Sequence, residues 1–388
     1  MKNKMMIALL AMALAGSASA KPRAKRDPAK PQPTPSPEAS APPSVPAPTT
    51  PAAPLSPELA PGRPVPDEGD ESKGTPTQLF PQLEKTLAAA YTPRKSAAFV
   101  PPTPAEATKF RDAFTLLVTE ADCADPAHPT PPPLPSAPVQ GALDALGFRV
   151  ITLEPKPGDT VWAVLERLER PRGAGAFLIR PGHTAAPWPR RVFAPLVARA
   201  VVMAPHPRSD RGTDVMGQRI FALSRARAYL QATMHRKVPA PDGGDSDPAH
   251  RQDTFFQIAT EVLDTHTSGQ VFIQLHGFEA TKHDDLSPDT AVIASNGRGA
   301  PDTHTPVAGA LQALKLKHLG GFIAIWGKDT HTLGGTTNVQ GKLINASGKN
   351  AFIHLEMSSE VRDAAVAYSA GAPPPMRSLL ASLIALLD

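Results

Sequence analysis

The sequence predicts an α/β fold, a mostly parallel or mixed twisted sheet of about eight strands with helices on both faces. Two observations carry that expectation. After Gly147, short apolar runs alternate with stretches of helical periodicity, and such alternation implies right-handed crossovers between parallel strands. Unusual polar residues also fall at or just beyond the C-terminal ends of separate apolar runs, where open α/β sheets place their chemistry.

Residues 1–20, "MKNKMMIALLAMALAGSASA", join a lysine-bearing start to an apolar core and a small-residue end. That is the pattern of a cleaved signal peptide, so the expectation is export to a periplasm or beyond the cell. The core from Met5 to Leu14 is too short to span a bilayer, and no later stretch is long and apolar enough, so no transmembrane anchor is expected in the mature chain. Residues 21–76 are dominated by Pro, Ala, Ser and Thr. Such a segment cannot bury enough apolar surface to fold, and it reads as a disordered Pro/Ala-rich linker. The single cysteine, Cys123, excludes an intramolecular disulfide and a lipid attached beside the cleavage site. The formal charge of +4 is drawn partly from the tail "KPRAKRDPAK", and no nucleic-acid partner is expected.

Residues 77–146 read as a helical lead-in, with Pro104 in a first-turn position. Residues 147–388 read as the α/β domain that carries catalysis. Its strands are expected at 148–153, 176–180, 198–204, 227–234, 270–275, 291–295, 321–326 and 351–357. Helices are expected at "TVWAVLERLER", "GTDVMGQRIFAL", "DTFFQIATEVLDTH" and "PVAGALQALKLKH". A closing helix is expected in "PPPMRSLLASLIALLD", where Leu379, Leu380, Leu383, Ile384 and Leu387 form one stripe.

His206 lies between Pro205 and Pro207, just past the run Val201–Ala204. The prolines forbid a helix, so the imidazole is presented on a stiff turn at a strand tip. Asp210 follows four residues later and His276 ends another strand. Two imidazoles and a carboxylate, with a fourth position left to water, are the ligand set of a catalytic zinc ion. Asp210 has a second reading as a cap for the helix that follows. Strand alternation puts Phe352, His354 and Glu356 on one face, which leaves a carboxylate in a covered strand. Glu356 either pairs with Arg362, ends the strand in solvent, or serves as a general base. His235, Arg236, Arg298 and Arg362 are candidate substrate contacts, the guanidinium groups because they bind a carboxylate bidentately. The long connections 277–290 and 327–350 read as substrate walls, with Asn338 and Asn345 as contacts and Asn296 nearby.

In this order and on these strands, "MAPHPRSDRGT", "ATMHR", "IQLHGF" and "IHLEMSSEVR" resemble the zinc carboxypeptidase-like hydrolases, in particular the N-formylglutamate amidohydrolase and poly-γ-glutamate hydrolase branches. The likeness covers about residues 147–362. It implies one zinc ion held by His206, Asp210 and His276, Glu356 as general base, and an arginine holding the substrate carboxylate. The reaction it implies is cleavage of an amide or peptide bond by attack of zinc-bound water, on small peptides, cell-wall fragments or acyl-amino acids. Two departures stand out: the acidic ligand is Asp at four residues' distance where the carboxypeptidases have Glu at three, and nothing marks the carboxylate-binding arginine. A non-catalytic envelope binding protein that keeps the fold is the alternative. No G-x-S-x-G elbow is present, which argues against a serine hydrolase.

Overall fold

A computed structural model describes residues 79–92, 98–123, 134–156, 159–169, 171–182, 200–223, 226–267, 269–299 and 322–367, all of them in one unit, Pro66–Asp388. Helices α1 (Leu79–Ala89), α2 (Pro104–Cys123) and α3 (Ala137–Asp144) come first. Strands β1 (Phe148–Lys156), β2 (Asp159–Glu166), β3 (Ala176–Ile179) and β4 (Ala200–Ala204) follow, then α4 (Thr213–Leu223), β5 (Ala228–Gln231), α5 (Phe255–His266) and β6 (Val271–Gly277). The described chain continues through β7 (Thr290–Ser295), β8 (Phe322–Ile325), α6 (Val339–Ser347), β9 (Ala351–Met357) and α7 (Ser359–Ala367).

The nine strands form one mixed sheet in the order β1-β2-β3-β5-β4-β6-β9-β7-β8. Its centre, β5, β4, β6 and β9, is parallel. An antiparallel meander of β1, β2 and β3 flanks it on one side. On the other, β7 runs antiparallel to β9 and β8 runs parallel to β7.

Both faces are covered, and the period-2 alternation of the strands assigns each residue to one of them. Val202, Ala204, Ile273, Leu275, Ile353 and Leu355 pack with Leu83, Leu87, Met216, Ile220 and Val361, so α1, α4 and α7 cover this face. Val201, Met203, Leu230 and Phe272 point the other way, into a core shared with α2, α3, α5 and α6. There Phe110, Phe148 and Phe255 meet with ring centroids 4.8–5.2 Å apart, two of the three contacts edge-to-face. The early helices are thus part of the walls of the sheet. Thr103 and Glu106 close the start of α2 reciprocally, each side chain accepting the other's backbone N–H, in a capping box.

Two expectations are corrected. "TVWAVLERLER" is not a helix: its first part is β2, in which Val161, Ala163 and Leu165 face one core and Trp162 and Val164 the other. An apolar run buried on both faces carries no period that separates strand from helix, and here the β-branched and aromatic residues decide. The connection 327–350 contains α6, which Asn338 caps by accepting from Gly341 N. The expected signal peptide, linker, helix 306–318 and closing helix lie outside the described residues.

Candidate metal centre and active site

From β4 the chain crosses to β5 on one side and then returns to β6 on the other. At such a switch point the connections part to opposite sides, and α/β folds open a crevice there beyond the strand ends. His206 lies at this position, buried, and is held by the turn that follows β4, in which Ser209 N and Asp210 N both donate to His206 O. His276 belongs to the last turn of pleat of β6.

The two imidazoles and Asp210 converge. Asp210 Oδ2 lies 3.5 Å from His206 Nδ1 and 3.6 Å from His276 Nδ1, close to the separation of about 3.4 Å that tetrahedral ligands of a zinc ion adopt. All three residues are buried. The Asp210 carboxylate also accepts from Gly277 N at 3.1 Å. It does not cap α4: its backbone carbonyl, not its side chain, receives Thr213 N.

Each imidazole is gripped from behind. His206 Nε2 contacts Asp247 Oδ1 at 2.6 Å, and His276 Nε2 contacts Gln274 Oε1 at 2.9 Å. Acceptors behind a ligating ring fix its orientation and keep its other nitrogen available for a metal.

Parallel pairing of β6 with β9 places Glu356 opposite His276 and His354 opposite Gln274. These four polar side chains therefore share one face of the sheet. His276, His354 and Glu356 form a second group of ligand type, with His354 Nε2 3.6 Å from Glu356 Oε1. Glu356 Oε2 and His354 Nδ1 are buried and have no hydrogen-bond partner among the described residues. Orphaned buried polar atoms are costly, and here they belong to the same buried cluster as the convergent donors, joined to it through His276.

Burial and mutual charge set the protonation of the group. Burial, followed by the charge of Asp210, pushes Glu356 up to about 8. Burial also lowers His276 to about 4, although Asp210 opposes it, and holds His354 well below the usual histidine range. For His206 burial acts downward but is outweighed by the hydrogen bonds to Asp210 and Asp247, which raise it to about 9. Burial acts upward on Asp210, and the two histidines more than reverse it, holding the carboxyl well below the usual range.

The remaining candidates separate clearly. Arg236 stands at the site, half-buried, its Nη1 3.4 Å from His206 Nδ1. His235 is half-buried and its Nδ1 accepts from Lys237 N. Arg362 is buried and donates to the backbone carbonyls of Met357, Arg211 and Phe278, so its guanidinium pins loops together. Arg298 and Asn296 follow β7, and β7 runs against β9: Val292 faces Met357 while Ser295 faces His354. Its C-terminal end therefore leads away from Glu356, and the inference that all strand ends share one edge fails there. Arg298 and Asn345 bond to each other, and Asn345 also holds Asn296 O. Asn338 is buried, with its amide committed to Gly341 N and Gln274.

Asp247, Gln274, His354 and Gln340 were not singled out from the sequence. Gln274 and His354 sit two residues before His276 and Glu356, so strand period alone puts each on the face of its neighbour. Asp247 lies in an irregular segment and carries no such signal.

Neither a family model nor a curated protein matches the chain. Among solved structures it is similar to N-formylglutamate amidohydrolase from Ralstonia eutropha, with 14% identity over 48% of this chain and 91% of that one, at a TM-score of 0.29. It is similar also to a metallo-carboxypeptidase from Burkholderia cenocepacia, with 14% identity over 64% of this chain and 65% of that one, at a TM-score of 0.29. The chain thus spans just under two thirds of the length of the metallo-carboxypeptidase.

Proposed function

We propose that the chain is a metal-dependent hydrolase of an amide or peptide bond. The observation that carries this reading is the convergence of His206 Nδ1, His276 Nδ1 and Asp210 Oδ2 beside a buried Glu356 on the neighbouring strand. The donor set fits a zinc ion: two neutral-capable imidazoles, each backed by an acceptor, and one carboxylate. When bound, such an ion lowers the pKa of water and polarises a carbonyl group. In this reading Glu356 takes the proton of the attacking water and later delivers it to the leaving nitrogen. Arg236 is the arginine best placed to hold a substrate carboxylate, since Arg362 is occupied and Arg298 is remote. That favours small peptides or acyl-amino acids as substrates, and the reading of residues 1–20 as a signal favours action outside the cytoplasm. Among the described residues no helix is long and apolar enough to cross a membrane.

The test is elemental analysis of the purified full chain, with and without the double substitution His206→Ala and His276→Ala, followed by assay of formyl-, acyl- and peptide amides. About one zinc per wild-type chain, none in the double variant, and turnover that follows the metal support the reading. A wild-type chain that neither carries nor takes up a divalent ion overturns it.

A further inference from the structure

Behind His276 runs a chain of buried side-chain amides that decides which of its ring nitrogens carries the proton. His276 Nε2 meets Gln274 Oε1 at 2.9 Å, and Asn338 Nδ2 meets the same oxygen. Gln274 Nε2 meets Gln340 Oε1 at 3.1 Å, and Gln340 Nε2 lies 2.8 Å from both Pro248 O and Gln257 Oε1. Gln274, Gln340 and Asn338 are at most 2% exposed.

An amide can be turned over, so its oxygen and nitrogen must be assigned from fixed neighbours. Here three such neighbours agree. Gly341 N–H can only donate, which makes Oδ1 the atom of Asn338 that faces it. Asn338 Nδ2 is then a donor, and the atom of Gln274 it meets is the oxygen. Independently, Pro248 O can only accept, so Gln340 presents Nε2 to it and Oε1 to Gln274, whose facing atom is again nitrogen. At the far end Gln257 Nε2 donates to Glu261 Oε1 at 3.3 Å, and an ionised carboxylate can only accept. With Gln274 Oε1 fixed as acceptor, His276 Nε2 must donate.

From this the structure assigns Asn338 and Gln340, which touch neither His276 nor Asp210, as positioning residues that lock His276 in its Nε2–H form and so aim the Nδ1 lone pair at Asp210 and His206. The arrangement also joins the supports of both imidazoles, because the peptide carbonyl that receives Gln340 directly follows Asp247, the acceptor behind His206. The assignment of the tautomer rests on the amides alone; its bearing on metal binding rests on the proposed function.

Two substitutions test it. Asn338→Ser keeps an oxygen that caps α6 but removes the Nδ2 donor, and Gln340→Met keeps the volume of the side chain but removes both ends of the relay. The tautomer of His276 is read by two-bond 1H–15N correlations on metal-free, 15N-histidine-labelled full chain, and zinc affinity by titration, with circular dichroism as the control for folding. The expected result is a single Nε2–H form in the wild type and a mixture of both forms in each folded variant. Zinc affinity should fall roughly tenfold to a hundredfold, as is usual when the support of a ligand is lost. An Nδ1–H form in the wild type overturns the proposal, as does a tautomer and affinity unchanged in a folded Asn338→Ser chain. If the wild type shows the Nε2–H form and the variants lose it while no chain binds zinc, the positioning role stands and the metal reading falls.

Discussion

At the residue scale, a carboxyl group that burial holds up to about 8 is a poor base at neutral pH until a cation beside it restores its charge. Glu356 is therefore expected to act only in the metal-loaded chain. Glu356→Gln should leave metal content unchanged and reduce turnover by about a hundredfold to ten-thousandfold, the usual worth of a general base; elemental analysis alongside the amide assay checks both halves. The same protonation states predict how stability depends on pH when metal is withheld. His206 is raised from 6.5 to about 9 and Glu356 from 4.5 to about 8, so the folded state holds protons the unfolded chain would release. Their contributions are complete below the unfolded values and fade as pH rises through about 8–9. His276 is lowered from 6.5 to about 4; its contribution is present above 6.5 and fades as pH falls through about 4. The opposing contributions balance at about pH 5–6, so the metal-free chain should melt highest on the mildly acidic side of neutrality and lose stability on both sides of it. A zinc ion held by His206 would take the place of its proton, so thermal melts between pH 7 and 9 should flatten when zinc is added. A chelated chain whose melting temperature rises through that interval contradicts the assignment.

At the element scale, the site depends on how closely β9 is packed from above. Gly335 has φ +63°, and a Cβ there would lie 2.7 Å from the ring of His354. Left-handed backbone costs an L-residue about 1 kcal/mol, and forced overpacking typically adds about 1–3 kcal/mol. Gly335→Ala should accordingly destabilise by about 2 kcal/mol or more in urea unfolding and depress turnover by shifting His354 and with it Glu356. Thr103→Ala at the start of α2, far from the chemistry, should cost about 1 kcal/mol with turnover unchanged. Elements of this kind also show what the sequence could convey. The short runs of β4, β6 and β9 were legible because each is short and mostly apolar, with polar residues gathered toward or just past its C-terminal end, and these strands carry or lead into His206, His276 and Glu356. β2 was not, since burial on both faces erased the period that distinguishes a strand from a helix. The direction of β7 was not legible either, because antiparallel pairing with β9 is decided by a distant connection and not by any residue in it, and the roles expected of Asn296 and Arg298 were misplaced for that reason. Asn338 was noticed as a polar residue in a long connection, but only the fold shows that it faces inward to Gln274 instead of outward to a ligand.

At the scale of the whole molecule, His206 and Asp210 follow the central strand β4, His276 ends its neighbour β6, and Glu356 lies on β9 beyond. An ion held there crosslinks the middle of the sheet and the turn that leads into α4, and it binds only when those segments are assembled. Ligation and folding are then one equilibrium: an ion that binds the native chain alone stabilises it by RT ln(1 + [L]/Kd), about 2.7 kcal/mol at a hundredfold excess over Kd. For a domain of this size that corresponds to a rise in melting temperature of roughly 5–10 °C. The rise should vanish in the His206→Ala, His276→Ala chain and should persist in Glu356→Gln, because under the proposed function the first variant removes ligands and the second only the base. A rise of equal size in all three chains would place the ion elsewhere on the molecule, away from the ends of β4 and β6.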